Sequence, residues 1–217
     1  MEHDFDALRE TRTIDLRRVI GADLFLIHRG APTIAHSIVR FRFADGTYLA
    51  ASSEARRTAT REFSAFRGFF RHFQVSCLVA VERDVLRLRT NYRENEEVYF
   101  YRTRLKPADA RALLEAYLRW MNPARAEPQW YNALTRNCGT RLTTFAAQEK
   151  IGGIRRWGWR RILAGNGDKM LYQLCDLASD TLPFYALKRQ ALTDRVARQA
   201  DAADDFSARI RAGRAGF

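Results

Sequence analysis

Cys138 is the residue whose surroundings most clearly suggest chemistry. It follows a polar stretch, Trp130 to Asn137, and precedes a segment whose pattern predicts a helix, Arg141 to Lys150, so we expect it at or near the N-terminus of that helix. The partial positive charge of a helix N-terminus stabilises a thiolate, the nucleophilic form of cysteine. The sequence therefore offers Cys138 as a nucleophile. The alternative is a small buried residue without chemistry, which is the commonest state of a free cysteine.

A cysteine nucleophile needs a histidine to accept its proton and a third group to orient the imidazole. His36, followed by Ser37 at the start of a predicted hairpin, is the best placed base. Glu54, which leaves the neighbouring strand, is the candidate for the third group, with a solvated surface carboxylate as an equal alternative. The remaining histidines lie in the N-terminal segment, at the end of an apolar strand and among phenylalanines: His3, His28 and His72.

The three cysteines, Cys77, Cys138 and Cys175, form neither a disulfide framework nor a zinc-type spacing. We expect Cys77 and Cys175 to be packing residues. The sequence has no phosphate-binding glycine loop and no internal repeat, so no cofactor and no metal are expected. It also has no signal peptide and no apolar run long enough to span a bilayer, which predicts a soluble chain, either a cytoplasmic protein or a domain of a longer one.

The balance of 37 Lys and Arg against 25 Asp and Glu gives a formal charge of +12, which favours binding to anionic surfaces. Nucleic acid and anionic lipid are both compatible with this charge. Phe63 to Phe73 interleaves aromatic and basic residues, and we interpret it as core anchors rather than a base-stacking surface. Arg155 to Arg161 places four arginines around two tryptophans, which suits an anionic membrane interface, and an ordinary basic surface is the equal alternative.

Alternating and apolar runs predict a β-rich first half and a helical second half. The predicted strands are Leu24–His28, the hairpin Ile34–Phe43 and Tyr48–Ser53 around the turn Ala44–Thr47, then Val75–Val81, Val85–Thr90 and Glu97–Arg102. A helix opens at Lys106–Pro107 and is expected to end at Pro123, and the chain is helical from Asp168 to Arg214. We predict one domain over residues 1–217, with residues 168–217 as a helical extension packed on it.

Several separated motifs, in order, resemble one family. They are Ile34–Ser37 with Phe43–Leu49, Ser53–Arg57, Glu82–Val85 with Leu88–Thr90, and Tyr131–Cys138. Together they are similar to the Lnb N-terminal periplasmic domain family, which is associated with bacterial lipoprotein N-acylation. The similarity runs from about Phe5 to Gly213. Gly139 departs from the pattern, where we expect threonine.

The order of a histidine followed by Asn-Cys at a helix start is also similar to the permuted papain-like group that includes lecithin retinol acyltransferase. This resemblance implies an α+β fold, with an antiparallel sheet packed on the helix that carries the nucleophilic cysteine. The resemblance to the Lnb N-terminal periplasmic domain family implies a periplasmic location, peripheral to the inner membrane. The chain is then either an excised domain or a short family member that meets the membrane by its surface.

The resulting hypothesis is a thiol acyltransferase that works through a Cys138 thioester, with His36 as base and Glu54 orienting it. The backbone N–H of Cys138, with the Tyr131 hydroxyl or the Asn137 amide, would stabilise the oxyanion. Expected partners are phospholipid or lipoprotein acyl donors and acceptors and an anionic membrane surface, with no nucleic acid, and a monomer is expected. The alternatives are a cysteine peptidase or amidase and a non-catalytic basic module that binds membranes or nucleic acid.

Overall fold

A five-stranded antiparallel sheet forms the centre of the chain. The computed structural model describes residues 10–55, 73–126, 129–132, 137–151, 166–179 and 181–217, without the side chains of 31–34 and 123–126. The strand order is β4-β3-β2-β1-β5. The strands are β1 (Val19–Arg29), β2 (Ala31–Phe43), β3 (Tyr48–Ala55), β4 (Val75–Val81) and β5 (Glu96–Arg102). Leu16–Arg18 form a short 3-10 helix before β1.

The hairpin of β2 and β3 follows from its turn residues, and the structure confirms it. Gly46 adopts a positive φ of 81°, which glycine accepts without steric cost. The Asp45 side chain accepts a hydrogen bond from the Thr47 N–H at 2.9 Å, and the Phe43 N–H donates to the Thr47 carbonyl at 3.0 Å. These contacts fix the register, in which Val39 pairs with Ala51 and Arg40 with Ala50.

Helices cover both faces of the sheet. Successive strand residues point to opposite faces, so Ala51 and Ala50 of β3 belong to two different cores. Ala51 packs in the core that includes helices α2 (Pro107–Ala126) and α3 (Cys138–Gln148), through residues such as Leu114 and Phe145. Ala50 packs in the core that includes α1 (Glu82–Thr90), through Val85. The helix that starts at Cys138 and α1 therefore lie on opposite faces.

One predicted strand and one predicted helix end are wrong. The segment Val85–Thr90 is part of helix α1 rather than a strand. Val85, Leu86 and Arg89 are buried at helical spacing, and a short apolar run does not distinguish a buried strand from a helix. Helix α2 continues past Pro123 to Ala126. A proline this close to the helix end removes only one backbone hydrogen bond of the last turn.

The C-terminal region consists of short helices, as the sequence predicted. Among the described residues they are α4 (Gly167–Gln173), α5 (Phe184–Ala191), α6 (Asp194–Ala200) and α7 (Phe206–Arg209). Leu171 and Leu187 pack in the α2–α3 core, whereas Ala197 and Phe206 pack in the α1 core. The assignment of residues 1–217 to one domain stays a prediction. None of the described helices is long and apolar enough to cross a membrane.

A buried ionic network connects the sheet, α1 and the C-terminal segment. Arg40, near the C-terminal end of β2 and 0% exposed, contacts Asp23 of β1 and donates to Glu82 at 2.6 Å. Arg211 donates to both carboxylate oxygens of Glu82 at 2.6 and 2.8 Å, and Ser207 donates to one of them at 2.6 Å. Each buried charge has an opposite partner, which limits the cost of removing it from water.

Candidate active site

Helix α3 begins at Cys138, which agrees with the placement expected from the sequence. Asn137 is its N-cap: the Thr140 N–H donates to the Asn137 side-chain oxygen at 2.8 Å, and the Asn137 N–H donates to the Thr140 hydroxyl at 2.9 Å. This reciprocal capping box satisfies two of the donors at a helix start. Gly139, the departure from the family pattern, is buried within the first turn and does not prevent the helix from starting.

The thiol of Cys138 is 7% exposed and accepts a hydrogen bond. The Ser37 N–H of β2 donates to its sulfur at 3.4 Å. Within the described part of the chain, no acceptor contacts the N–H groups of Cys138 and Gly139, which belong to the unpaired donors of the helix N-terminus. The sulfur therefore lies where hydrogen-bond donors and the helix dipole both favour a negative charge.

His36 and Glu54 face each other across β2 and β3. Continuing the register in which Val39 pairs with Ala51 brings His36 opposite Glu54. The Nε2 atom of His36 is 3.0 Å from Glu54 Oε1 and 3.2 Å from the Ser52 hydroxyl. Both side chains of the pair are 22% exposed. With Nε2 held by Glu54, Nδ1 is the ring nitrogen that remains for the thiol.

One carboxylate oxygen of Glu54 accepts from three side chains. Besides His36, the Ser52 hydroxyl donates to Oε1 at 2.9 Å and the Arg89 guanidinium donates at 2.6 Å. Arg89, on α1, is itself held by Glu96 at 3.3 Å. Burial would raise the pKa of Glu54, but the charges of His36 and Arg89 and its hydrogen bonds hold that pKa well below 4.5. Glu54 therefore stays ionised and cannot act as a proton donor at neutral pH.

The electrostatics of the pair favour charge separation. Burial raises the pKa of the Cys138 thiol, but the charge of His36, a hydrogen bond with His36 and the Ser37 N–H outweigh it and lower the pKa from 9.0 to about 7. Burial lowers the pKa of His36, but the charges of Glu54 and Cys138 and hydrogen bonds with both raise it from 6.5 to about 10. Cys138 and His36 thus favour a thiolate–imidazolium pair above neutral pH.

The other two predicted site residues lie beside this pair. Burial, then the charges of Cys138 and Glu54, raises the pKa of Tyr131, so its phenol stays protonated. The Tyr131 N–H donates to the Phe73 carbonyl at 2.7 Å, which holds its segment against the start of β4. Asn137 uses its amide oxygen to cap α3. A role of Tyr131 or Asn137 in oxyanion stabilisation stays a prediction.

The other two cysteines lie away from the start of α3. Burial raises the pKa of Cys77 to about 12, with Arg141 partly opposing and Glu54 adding to the shift. Cys77 is therefore a thiol at neutral pH. Cys175 is exposed, beyond the end of α4. His28 is 6% exposed and meets Tyr99 edge-on at 5.3 Å, which indicates a structural histidine.

Sequence reasoning missed three residues of this site. Ser52 lies two positions before Glu54 on the same strand, a spacing that puts both side chains on one face. Arg89 belongs to one of the family-like motifs, but its assignment to a strand hid its approach to Glu54. Tyr117 of α2 is the third residue. Burial raises its pKa, and the charges of Cys77 and Cys138 add to the shift, which indicates that the ring is near the thiol. Only the family-like motif gave a signal in the sequence, and it pointed to Arg89.

Residues 63–72 and 155–161, which carry the aromatic and basic segments, lie outside the described residues. In the part of the chain that the structure describes, no group of three or more His, Cys, Asp or Glu side chains could hold a metal ion.

The fold and site define an α+β protein in which a helix-start cysteine, a histidine and a glutamate meet at one end of an antiparallel sheet. The chain belongs to the Lnb N-terminal periplasmic domain family, with residues 5–162 matched. The match contains Cys138, His36, Glu54 and Arg89, and it ends well before the Gly213 expected from the sequence. No curated protein and no solved structure matches the chain. Family membership associates the chain with lipoprotein-related proteins and is consistent with a periplasmic location.

Proposed function

We propose that this protein is a thiol acyltransferase that moves acyl groups of lipids or lipoproteins through a thioester on Cys138. The observation that carries the proposal is the convergence of a pKa-lowered cysteine at a helix start with a histidine held by an ionised glutamate. Such a cysteine–histidine–carboxylate arrangement serves covalent acyl transfer on unrelated folds. Membership in a family associated with lipoprotein-related proteins supports a lipid-linked acyl group as the cargo.

In the first half-reaction, the Cys138 thiolate attacks an ester carbonyl and forms a carbon–sulfur bond. The imidazolium of His36 then gives its proton to the departing alkoxide as the carbon–oxygen bond breaks. In the second half-reaction, an amine attacks the thioester and passes a proton to His36, and the thiolate leaves. An amide and the original ion pair result, so atoms and charges balance.

The oxyanion of each tetrahedral intermediate needs donors beside the sulfur. The N–H groups of Cys138 and Gly139 are supplied by the first turn of α3, and the protonated phenol of Tyr131 is a third candidate. Removing one such donor costs about 10²–10³-fold in turnover in well-studied acyl-transfer enzymes. Glu54 takes the orienting role, because it binds the His36 nitrogen that does not serve the thiol.

The same arrangement supports two wider proposals. We propose that the domain has a permuted papain-like fold, because its sheet packs on the helix that carries the cysteine. We further propose that the domain acts as a monomer at the outer face of the inner membrane, where the charge of +12 favours anionic lipid. A cysteine peptidase or amidase would use the same residues with water as the acceptor.

Intact-mass spectrometry distinguishes transfer from hydrolysis. The protein, incubated with phospholipid vesicles and no amine, should gain a fatty-acyl mass on the peptide that contains Cys138, and neutral hydroxylamine should release it. The second half-reaction lacks its acceptor, so the thioester should accumulate. Cys138→Ala and His36→Ala should show no adduct, whereas Cys175→Ala should resemble the wild type. Cys138-dependent cleavage of a peptide, with no adduct from any lipid, would refute the transferase proposal and support the peptidase alternative.

A further inference from the structure

An apolar cavity lies between the sheet and helices α2, α3 and α4. Its volume is about 260 Å³. Its apolar lining comes from five helices and strands and from Ile151, which follows α3. The residues from those elements, in the order β1, β2, α2, α3 and α4, are Leu24, Val39, Leu113, Leu142 and Leu171. Polar side chains contribute from the loop after β5, the first turn of α2 and the segment after α4: Arg104, Lys106, Asp109 and Asp176. A mainly apolar cavity with polar groups in its lining is the usual form of a small-ligand site.

The cavity points along two elements toward the thiol. On α3, Leu142 lies one turn after Cys138, about 6 Å along the helix and on the same side. On β2, Val39 lies two residues after Ser37, about 7 Å along the strand and on the same face. The Ser37 N–H donates to the Cys138 sulfur. The lining therefore begins about one helical turn from the nucleophile on both elements.

A third element gives the same direction. Leu113 of α2 lines the cavity, and Tyr117 follows it one turn later on the same side of the helix. The Cys138 charge contributes to the raised pKa of Tyr117, which indicates that this ring lies near the thiol. Helix α2, helix α3 and strand β2 therefore each lead from the surroundings of Cys138 to the lining of the cavity.

We propose that this cavity is the binding site for a single fatty-acyl chain, whose carboxyl carbon is held at Cys138 while its hydrocarbon tail extends between Val39, Leu113 and Leu142. The inference rests on the proposed function for the assignment of Cys138 as the residue that holds the carboxyl carbon. The tail, by contrast, is recognised only by apolar burial. Each buried methylene should lower the Kd about fourfold, so affinity should rise with chain length until the cavity is filled.

Binding to the Cys138→Ala protein tests the site without requiring turnover. The probe is cis-parinaric acid, a fluorescent fatty acid, displaced by palmitate or octanoate. Ala22 lines the cavity from β1, and Leu24 lies between it and the level of Ser37, so Ala22→Phe fills the part remote from the thiol. In the Cys138→Ala background it should raise the palmitate Kd about tenfold or more, because two or more methylenes lose their place, and change the octanoate Kd less than about threefold.

The matched control is Ala202→Phe, which adds the same ring at an exposed position between α6 and α7. It should leave both Kd values unchanged. If Ala22→Phe lowers the unfolding midpoint strongly, Leu113→Phe repeats the test from α2. Absence of saturable probe binding, or equal palmitate affinity in folded Ala22→Phe and Ala202→Phe proteins, overturns the proposal. Chain-length-dependent binding to Cys138→Ala, together with a wild-type protein that forms no acyl-enzyme with any lipid, supports the chain site and refutes the proposed transfer.

Discussion

Glu54→Gln isolates the contribution of one negative charge to the ion pair. Glutamine keeps the shape of the side chain and a hydrogen-bonding oxygen but removes the charge that raises the pKa of His36. A hydrogen bond between charged groups contributes about 1.5–3 kcal/mol, and one pKa unit corresponds to about 1.4 kcal/mol, so the pKa of His36 should fall by about 1–2 units. Because the imidazolium in turn lowers the pKa of Cys138, that pKa should rise.

The sign of the change can be followed in a pH profile. In the wild type, thiolate reactivity should rise as pH passes about 7, where Cys138 ionises, and the ion pair should be lost as pH passes about 10, where His36 deprotonates. In Glu54→Gln the pKa of Cys138 should rise and the pKa of His36 should fall, so the pH range in which the ion pair exists should become narrower. Turnover near neutral pH should fall about 10²-fold, at the lower end of what general acid–base catalysis contributes.

The assay is the rate of iodoacetamide alkylation of Cys138 across a pH series, followed together with turnover. Glu94→Gln is the matched control, because Glu94 is exposed and lies on the turn before β5. It should reproduce the wild-type profile. Arg89 loses its strongest partner in Glu54→Gln but keeps Glu96, so the fold should persist, and the unfolding midpoint checks this. A Glu54→Gln profile with wild-type limits and rates would refute the orienting role.

Three further predictions concern the cysteines, the helix cap and the net charge. Cys138→Ala should abolish the iodoacetamide labelling that is seen on the Cys138 peptide of the wild type. Cys77→Ala should leave turnover intact because the Cys77 thiol is protonated at neutral pH. Faster labelling of Cys77 than of Cys138 in the folded protein would contradict this. Asn137→Ala should destabilise the fold by about 1 kcal/mol through loss of the cap, measured by urea unfolding, and should raise the Cys138 pKa; an unchanged midpoint would show that the cap is dispensable. The charge of +12 predicts binding to anionic vesicles in sedimentation assays that weakens as salt rises, and equal binding to neutral vesicles would count against it.

The sequence predicts correctly those elements whose turn or cap residues lie next to each other in the chain. The turn at Ala44–Thr47 fixes its hairpin through Asp45 and Gly46, so the pattern was sufficient. The start of α3 followed from the polar residues before Cys138. The segment Val85–Thr90 was assigned to a strand because six residues with alternating arginines fit both periods. Its helical state depends on burial against Ile38 and Ala50, which are distant in sequence.

The same limit explains the incomplete site. Cys138, His36 and Glu54 could be proposed from the sequence because each residue type has its own chemical signature. Ser52 and Arg89 have none: their importance depends on where β3 and α1 place them relative to Glu54. A residue that holds a carboxylate through tertiary packing becomes visible only once the strand register and the helix face are known.

The buried network around Glu82 gives α1 a mechanical role. Glu82 is the first residue of this helix and is fixed by Arg40 and Arg211, whereas Arg89, near its other end, grips Glu54. A nine-residue helix is about 13 Å long, so α1 spans about that distance between the C-terminal segment and the carboxylate. The family match ends at residue 162. Arg211, which lies beyond the matched region, therefore binds one end of the helix whose other end binds the carboxylate beside His36.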